Sequence, residues 1–166
     1  MAWLPDGFVA PGRVLLPTGR HYLRQIGPDD TVLDMVAVMG SRERLWSIFG
    51  KVWGWPPATL TVEQDREDLA RHAREMRHNE SFNYALFDAQ ESALLGCVYI
   101  DPAEKAGADA DISWWVVDGL VGGSLETALD QFVPGWIADA WPFRQPRYIG
   151  QDLTWDDWME LPDAQL

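Results

Sequence analysis

The order of its segments predicts an α/β (α+β) chain with helices on both faces of one mixed, mostly antiparallel sheet. Two observations carry this reading. Short stretches of alternating or continuous apolar residues read as strands, and the longer stretches between them repeat their apolar residues at helical spacing. The segments between three consecutive strands are turn-like, so those neighbours pair antiparallel. With 166 residues the chain suffices for one domain with a real core.

Residues 1–17 hold three prolines and two glycines among apolar residues. They read as an extended arm lying on a single domain of residues 18–166. "HYLRQI" (21–26) is a partly alternating strand. "GPDD" starts a helix, with Asp29 or Asp30 as cap, and Val32, Leu33, Val36 and Met39 recur at helical spacing. Ser41 can cap a second helix carrying Leu45, Trp46 and Phe49. Thr61 and Gln64 form a capping box. The helix that follows runs to about Asn79, with Val62, Leu69, Ala73 and Met76 as its buried stripe.

Three strands come next: "FNYALFD" (82–88), "ALLGCVYI" (93–100) and "DISWWVV" (111–117). The second is apolar throughout, as for a strand covered on both faces. From Leu125 the spacing turns helical through Ala140, with Pro134 inside. A short edge strand is expected around 146–151, and Thr154 caps a last helical turn.

Hydrophobic residues make up 47% of the chain and charged residues 23%, an ordinary soluble globular composition. The formal net charge of -13 argues against a nucleic-acid partner, because phosphate backbones need Lys and Arg clusters. The acidity favours a cationic small molecule or a basic peptide, or serves solubility alone. The ten tryptophans imply large flat surfaces in the core or around a pocket. Cys97 is the one cysteine, so no disulfide closes within the chain and a cytoplasmic setting is expected. No signal peptide and no membrane span is read. Asp101, Asp109 and Asp111 lack metal-ligand spacing, and no metal is expected.

Two segments resemble the GNAT superfamily of acyl-CoA-dependent N-acetyltransferases. "TGRHYLRQIGPDD" (18–30) is similar to the T-x-R-x-x-L-R-x-x-x-x-x-D opening of the branch that acetylates ribosomal-protein N-termini. "ADISWWVVDGLVGG" (110–123) is similar to that branch's strand A-E-I-G-Y-W-V and the cofactor loop after it. The resemblance implies a GNAT-like sheet whose fourth and fifth strands splay apart around acetyl-CoA. Backbone N–H groups of Val116 and Val117 would then hold the thioester carbonyl and pantetheine. Gly122, Gly123, Ser124 and Leu125 would hold the pyrophosphate, as a glycine-rich bend into a helix N-terminus suits an anion. Asp111 stands at the acidic position that in some relatives draws a proton from the amine through water; it also reads as a turn aspartate. Trp46, Trp53 and Trp55 fall in the region that lines the acceptor side and are candidates to bind a cationic acceptor.

The chain departs from the family pattern at the loop. Its first position is Gly119, and Asp118 and Glu126 would stand near a bound pyrophosphate. It also lacks the later helix that often supplies a tyrosine as general acid, leaving Tyr148 as the only nearby phenol. The leading expectation is transfer of an acetyl group from acetyl-CoA to a primary amine of a small or peptide acceptor by direct attack. The alternatives are a catalytically degenerate GNAT-like domain that binds a ligand or protein, and a homodimer whose partner completes the sheet edge.

Overall fold

The computed structural model describes residues 2–165. One sheet carries six strands in sequential order: β1 (Val14–Leu15), β2 (His21–Gln25), β3 (Phe82–Asp88), β4 (Leu94–Pro102), β5 (Ala110–Val116) and β6 (Pro146–Tyr148). Every pairing is antiparallel except β5 with β6, which is parallel. The parallel pair follows from its connection. A helix, α4 (Ser124–Ala140), carries the chain back across the sheet, as a crossover between parallel strands requires. Several residues before β2 touch the domain: Trp3 stacks on Phe143 at 5.3 Å, Leu4 is buried, and Tyr84 Oη donates to Pro11 O.

Helices cover both faces. On one face α4 sets Trp136 edge-on to Tyr84 at 5.0 Å, and Asp130 accepts from Trp114 Nε1 at 2.8 Å. The other face carries α1 (Thr31–Gly40), α2 (Arg42–Trp53) and α3 (Val62–Arg77). The capping box at the start of α3 is formed: Gln64 N donates to Thr61 Oγ1, and Thr61 N to Gln64 Oε1. A last helix, α5 (Trp155–Glu160), starts at Thr154, whose hydroxyl accepts from Asp157 N.

Three local expectations are corrected. Val32 and Val36 of α1 are exposed, and the buried face carries Thr31, Asp34, Ala37 and Val38. On α3 the stripe begins at Asp65, not at the exposed Val62. The two helices present these aspartates to each other beneath the sheet, so the helical rotation that buries most apolar area also buries one acid on each. Ser41 makes no side-chain cap; its Oγ accepts instead from Asp118 N at 2.9 Å, tying the start of α2 to the loop after β5.

The motif at 18–30 is structural. Arg24 makes a two-pronged pair with Asp30 at 2.7 and 2.9 Å and also binds Glu91. Asp30 in turn accepts from Gly27 N, fixing the turn into α1. Among the described residues no helix is long and apolar enough to cross a membrane.

Candidate active site

Pairing between β5 and β6 covers only Ala110–Ile112, and the last ladder bond runs from Ile149 N to Ile112 O at 2.9 Å. Peptide groups alternate sides along a strand. Ile112 O faces β6, and Val117 N faces β4, where it donates to Leu95 O at 2.9 Å. The peptide groups of Trp114 and Val116 therefore face the opening where β6 has turned away. The Val116 carbonyl is met there by Arg44 of α2. The Val117 N–H is spent within the sheet, which corrects its expected part in holding a carbonyl; the Val116 N–H is the one that faces the opening.

A cleft of about 700 Å³ fills this opening, walled by Trp114, Ile149, Thr154, Trp155, Ile48 and Lys51. Its rim is acidic, with Glu126 and Asp130 from α4 and Asp152, Asp156 and Asp157 from the segment after β6. Arg44 and Lys51 are its cations, and each already pairs with an acid: Arg44 with Asp118 at 2.6 Å and Lys51 with Asp156 at 3.1 Å.

The loop from β5 into α4 turns on Gly122, whose φ of +76° suits glycine. Its N–H donates to Glu126 Oε1 at 3.0 Å, and Gly123 N donates to Leu120 O. Glu126 thus reaches back over the helix start. Gly123, the residue before α4, is extended, so Ser124 and Leu125 open the helix with N–H groups that have no partner inside it.

Asp111 is not free. Its Oδ1 lies 2.7 Å from Arg147 Nε, and its Oδ2 accepts from Trp158 Nε1 at 3.2 Å. The carboxylate is 6% exposed and joins β5, β6 and α5. Both of its oxygens are engaged by neighbouring side chains.

On the sheet face beneath α1, α2 and α3 lies a second cavity of about 640 Å³. Cys97, Tyr99 and Asp101 alternate along β4 and all line it. Trp53 and Trp55 form its aromatic wall, Trp53 edge-on to Tyr99 at 5.3 Å and Trp55 6.3 Å from Trp115. Trp46 is apart from them: it is 41% exposed on the outer side of α2, with Arg42 over its ring, and lines neither space.

This cavity is strongly acidic. Burial pushes the Asp34 carboxyl well up, and the neighbouring Asp65 charge adds to it; Asp65 is raised mainly by its own burial. Asp101 accepts from Ser81 Oγ at 2.5 Å, and burial pushes its carboxyl up to about 7. His72 is held below its ordinary value by burial and by Arg71, so it is neutral at pH 7. Cys97 is buried and its thiol is pushed up, an inert packing group.

The cleft and the acidic cavity share no lining residue, but both adjoin a third space. Ile149 and Trp155 border both the cleft and a smaller space beside Asp101 and Ser113, and Trp53 borders that space and the acidic cavity. Trp53 and Trp55 line one cavity, apart from Trp46 and from Val116, and sequence reasoning misses Asp34, Asp65, Asn83 and Asp101 as one group in it. The available signal was an acid inside each apolar stripe: Asp34 beside Ala37 and Val38, and Asp65 four residues before Leu69.

No family model matches the chain, and no curated protein matches it. Solved structures do. The ribosomal-protein-S5-alanine acetyltransferase from Vibrio fischeri matches with TM-score 0.56 at 16% identity, over 77% of this chain and 68% of that one. A probable acetyltransferase matches with TM-score 0.64 at 14% identity, over 82% and 72%. The ribosomal L7/L12 alpha-N-protein acetyltransferase RimL in complex with coenzyme A matches with TM-score 0.57 at 15% identity, over 72% and 66%. The chain therefore has the fold of the acetyltransferases, a curled, mostly antiparallel sheet with helices on both faces. Within that class its neighbours include the GNAT N-acetyltransferases of ribosomal proteins, and it spans about two thirds of the length of the two described above.

Proposed function

We propose that the chain is an N-acetyltransferase that moves an acetyl group from acetyl-CoA to a primary amine by direct attack. The observation that carries this reading is the parting of β5 and β6 after Ile112, which leaves the strand edge at Trp114 and Val116 without a β6 partner beside a cleft, with an acidic, aromatic cavity on the neighbouring sheet face. Likeness to acetyltransferases, RimL among them in complex with coenzyme A, supports it.

The residues present fit acetyl-CoA unevenly. The open strand edge at Trp114 and Val116 suits the amide-bearing pantetheine arm, and the N–H groups of Ser124 and Leu125 suit a phosphate at a helix start. Glu126 stands on Gly122 N–H, but it is a surface side chain and swings away at little cost. Acetyl-CoA would supply an activated acyl carbon. The Val116 N–H would polarise the carbonyl from a fixed strand. Asp101, with its value near neutrality, pairs with Asp111, five residues along the strand from Val116 and about 16 Å away. It would therefore draw the proton that an ammonium must lose through intervening water, and the amine's second proton would leave with the coenzyme A thiolate. Trp53, Trp55 and Tyr99 would hold the acceptor cation against their ring faces. Asp111 would act by holding β5 and β6 together at the root of the cleft.

A second reading, a GNAT-like binding domain without catalysis, is favoured by one feature: the acid-rimmed cleft with Glu126 over its helix start. Thermal unfolding with coenzyme A separates the two. At a hundredfold over its dissociation constant the ligand should add about 2.7 kcal/mol. No shift at millimolar coenzyme A would overturn the transferase reading and leave the binding domain.

A further inference from the structure

We propose that the acidic cavity beneath α1–α3 binds a linear polyamine, with one ammonium at the Asp34–Asp65 end and another at the Asp101 end. That the bound polyamine is the acetyl acceptor rests on the transferase reading; the binding itself does not.

The cavity is drawn out along β4. Asp34 and Asp65 lie near Cys97, whose thiol feels both charges, whereas Asp101 sits four residues further on with Glu104 and Glu75 nearby. Four residues of strand span about 13 Å. Two centres of negative charge thus stand at opposite ends of one pocket, with Tyr99 between them and the indole walls of Trp53 and Trp55 alongside. An extended aliphatic chain of roughly ten single bonds covers a comparable distance.

The unpaired atoms specify donors. Asp65 Oδ2 and Asn83 Oδ1 are buried and have no hydrogen-bond partner, and both residues line the cavity. Buried acceptors without partners are rare in native proteins and cost stability until a donor arrives. Both want N–H groups, and one of them belongs to no acid. The cationic side chain in the lining, Arg71, is already paired with Glu75 at 3.0 Å and with Asp68 at 3.8 Å, and His72 is neutral. A ligand that is all donor and no acceptor fits this wall. A peptide fits poorly, since each of its residues brings a carbonyl that needs a donor. A metal ion is no better suited: among the described residues no three His, Cys, Asp or Glu side chains are grouped to hold one.

The test is calorimetric titration at pH 8 and matched ionic strength, without coenzyme A. Spermidine is the probe, n-octylamine the single-charge control, and a basic tripeptide the competitor class. Spermidine should bind at least about tenfold more tightly than n-octylamine, since each buried charge-assisted bond is worth about that factor. Asp65→Asn and Asp101→Asn should each bring spermidine down towards the control. Asn83→Leu, which removes an acceptor without changing charge, should also weaken it and keeps the deep end testable if Asp65→Asn does not fold. Equal binding of spermidine and n-octylamine, tighter binding of the tripeptide, or affinity unchanged in these variants would each overturn the proposal. If spermidine binds as expected while coenzyme A fails to stabilise the protein, the transferase reading falls and the polyamine site stands; the reverse pattern removes this site alone.

Discussion

Arg147 Nε lies 2.7 Å from Asp111 Oδ1 across the parallel β5–β6 pair, with both side chains almost wholly enclosed. The pair sits just before the point where the strands part, so it fixes the root of the cleft. Trp158 Nε1 adds a bond from α5 to the same carboxylate. Removing one partner leaves a buried charge without compensation, and Asp111→Ala should cost about 3–5 kcal/mol in urea unfolding. The double variant Asp111→Leu/Arg147→Met should recover most of that loss. A stable Asp111→Ala that has lost only transfer activity would return the residue to a catalytic role.

Coenzyme A should bind more tightly to Glu126→Gln and to Asp118→Asn. The first variant removes a carboxylate that holds Gly122 N–H, and the second releases Arg44 from its pair at 2.6 Å. Both effects are between charges near the surface, so the gain should shrink as salt rises towards 1 M. Affinity unchanged at low salt in both variants would show that this loop does not meet the phosphates.

Stability should be greatest on the acid side of neutrality. Asp34, Asp65 and Asp101 are all raised in the folded state, chiefly by burial. A raised carboxyl binds its proton more tightly folded than unfolded, so its contribution is present at low pH and is lost as pH rises through the folded value. For Asp101 that window opens in the ordinary carboxylate range and closes near 7. Glu91 runs the other way: its bonds to Arg24 and Tyr22 hold it down at about 2, so its contribution is lost only as pH falls from the ordinary carboxylate range towards that value. The melting temperature should therefore rise from pH 8.5 to about pH 5 and drop again below about pH 4. Asp34→Asn should raise it at pH 8.5 and flatten the curve, and an unaltered profile in that variant would discount the buried pair.

The sheet and the long helices are legible in the sequence because their signals are local. Thr61 and Gln64 announce the start of α3 by an exchange of bonds three residues apart, and Phe82–Asp88 alternates within one strand. The parting of β5 from β6 is legible only through the resemblance, since nothing local marks where a parallel pair ends. The acidic cavity is hidden for a different reason. Asp34 and Asp65 occupy positions on a helical wheel that look like either face, and the exposed Val32, Val36 and Val62 draw the apolar stripe to the wrong side. Only the packing of α1 against α3 decides the rotation. Asp111 poses the opposite problem: its motif position suggests chemistry, and its bond to Arg147, 36 residues away, has no local signal.

Asp101 should govern the pH dependence of transfer. Asp101 lines both the acidic cavity and the smaller space beside the cleft, accepts from Ser81, and is pushed up to about 7 by burial with help from the charges of Asp111 and Glu104. A base must be ionised to accept a proton, so kcat/KM should rise with pH and level off above about 7. Asp101→Asn removes the acceptor and keeps the shape; it should lower kcat by about 10²–10⁴ and abolish that limb. Ser81→Ala removes the bond that favours the ionised form, so the limb should move to higher pH while the plateau is largely kept. Measuring kcat/KM with a fixed amine from pH 5.5 to 9 for the three proteins distinguishes a base from a residue that merely shapes the pocket. A limb that persists unchanged in Asp101→Asn would assign the titration to another group, the acceptor amine included, and would remove Asp101 from the chemistry.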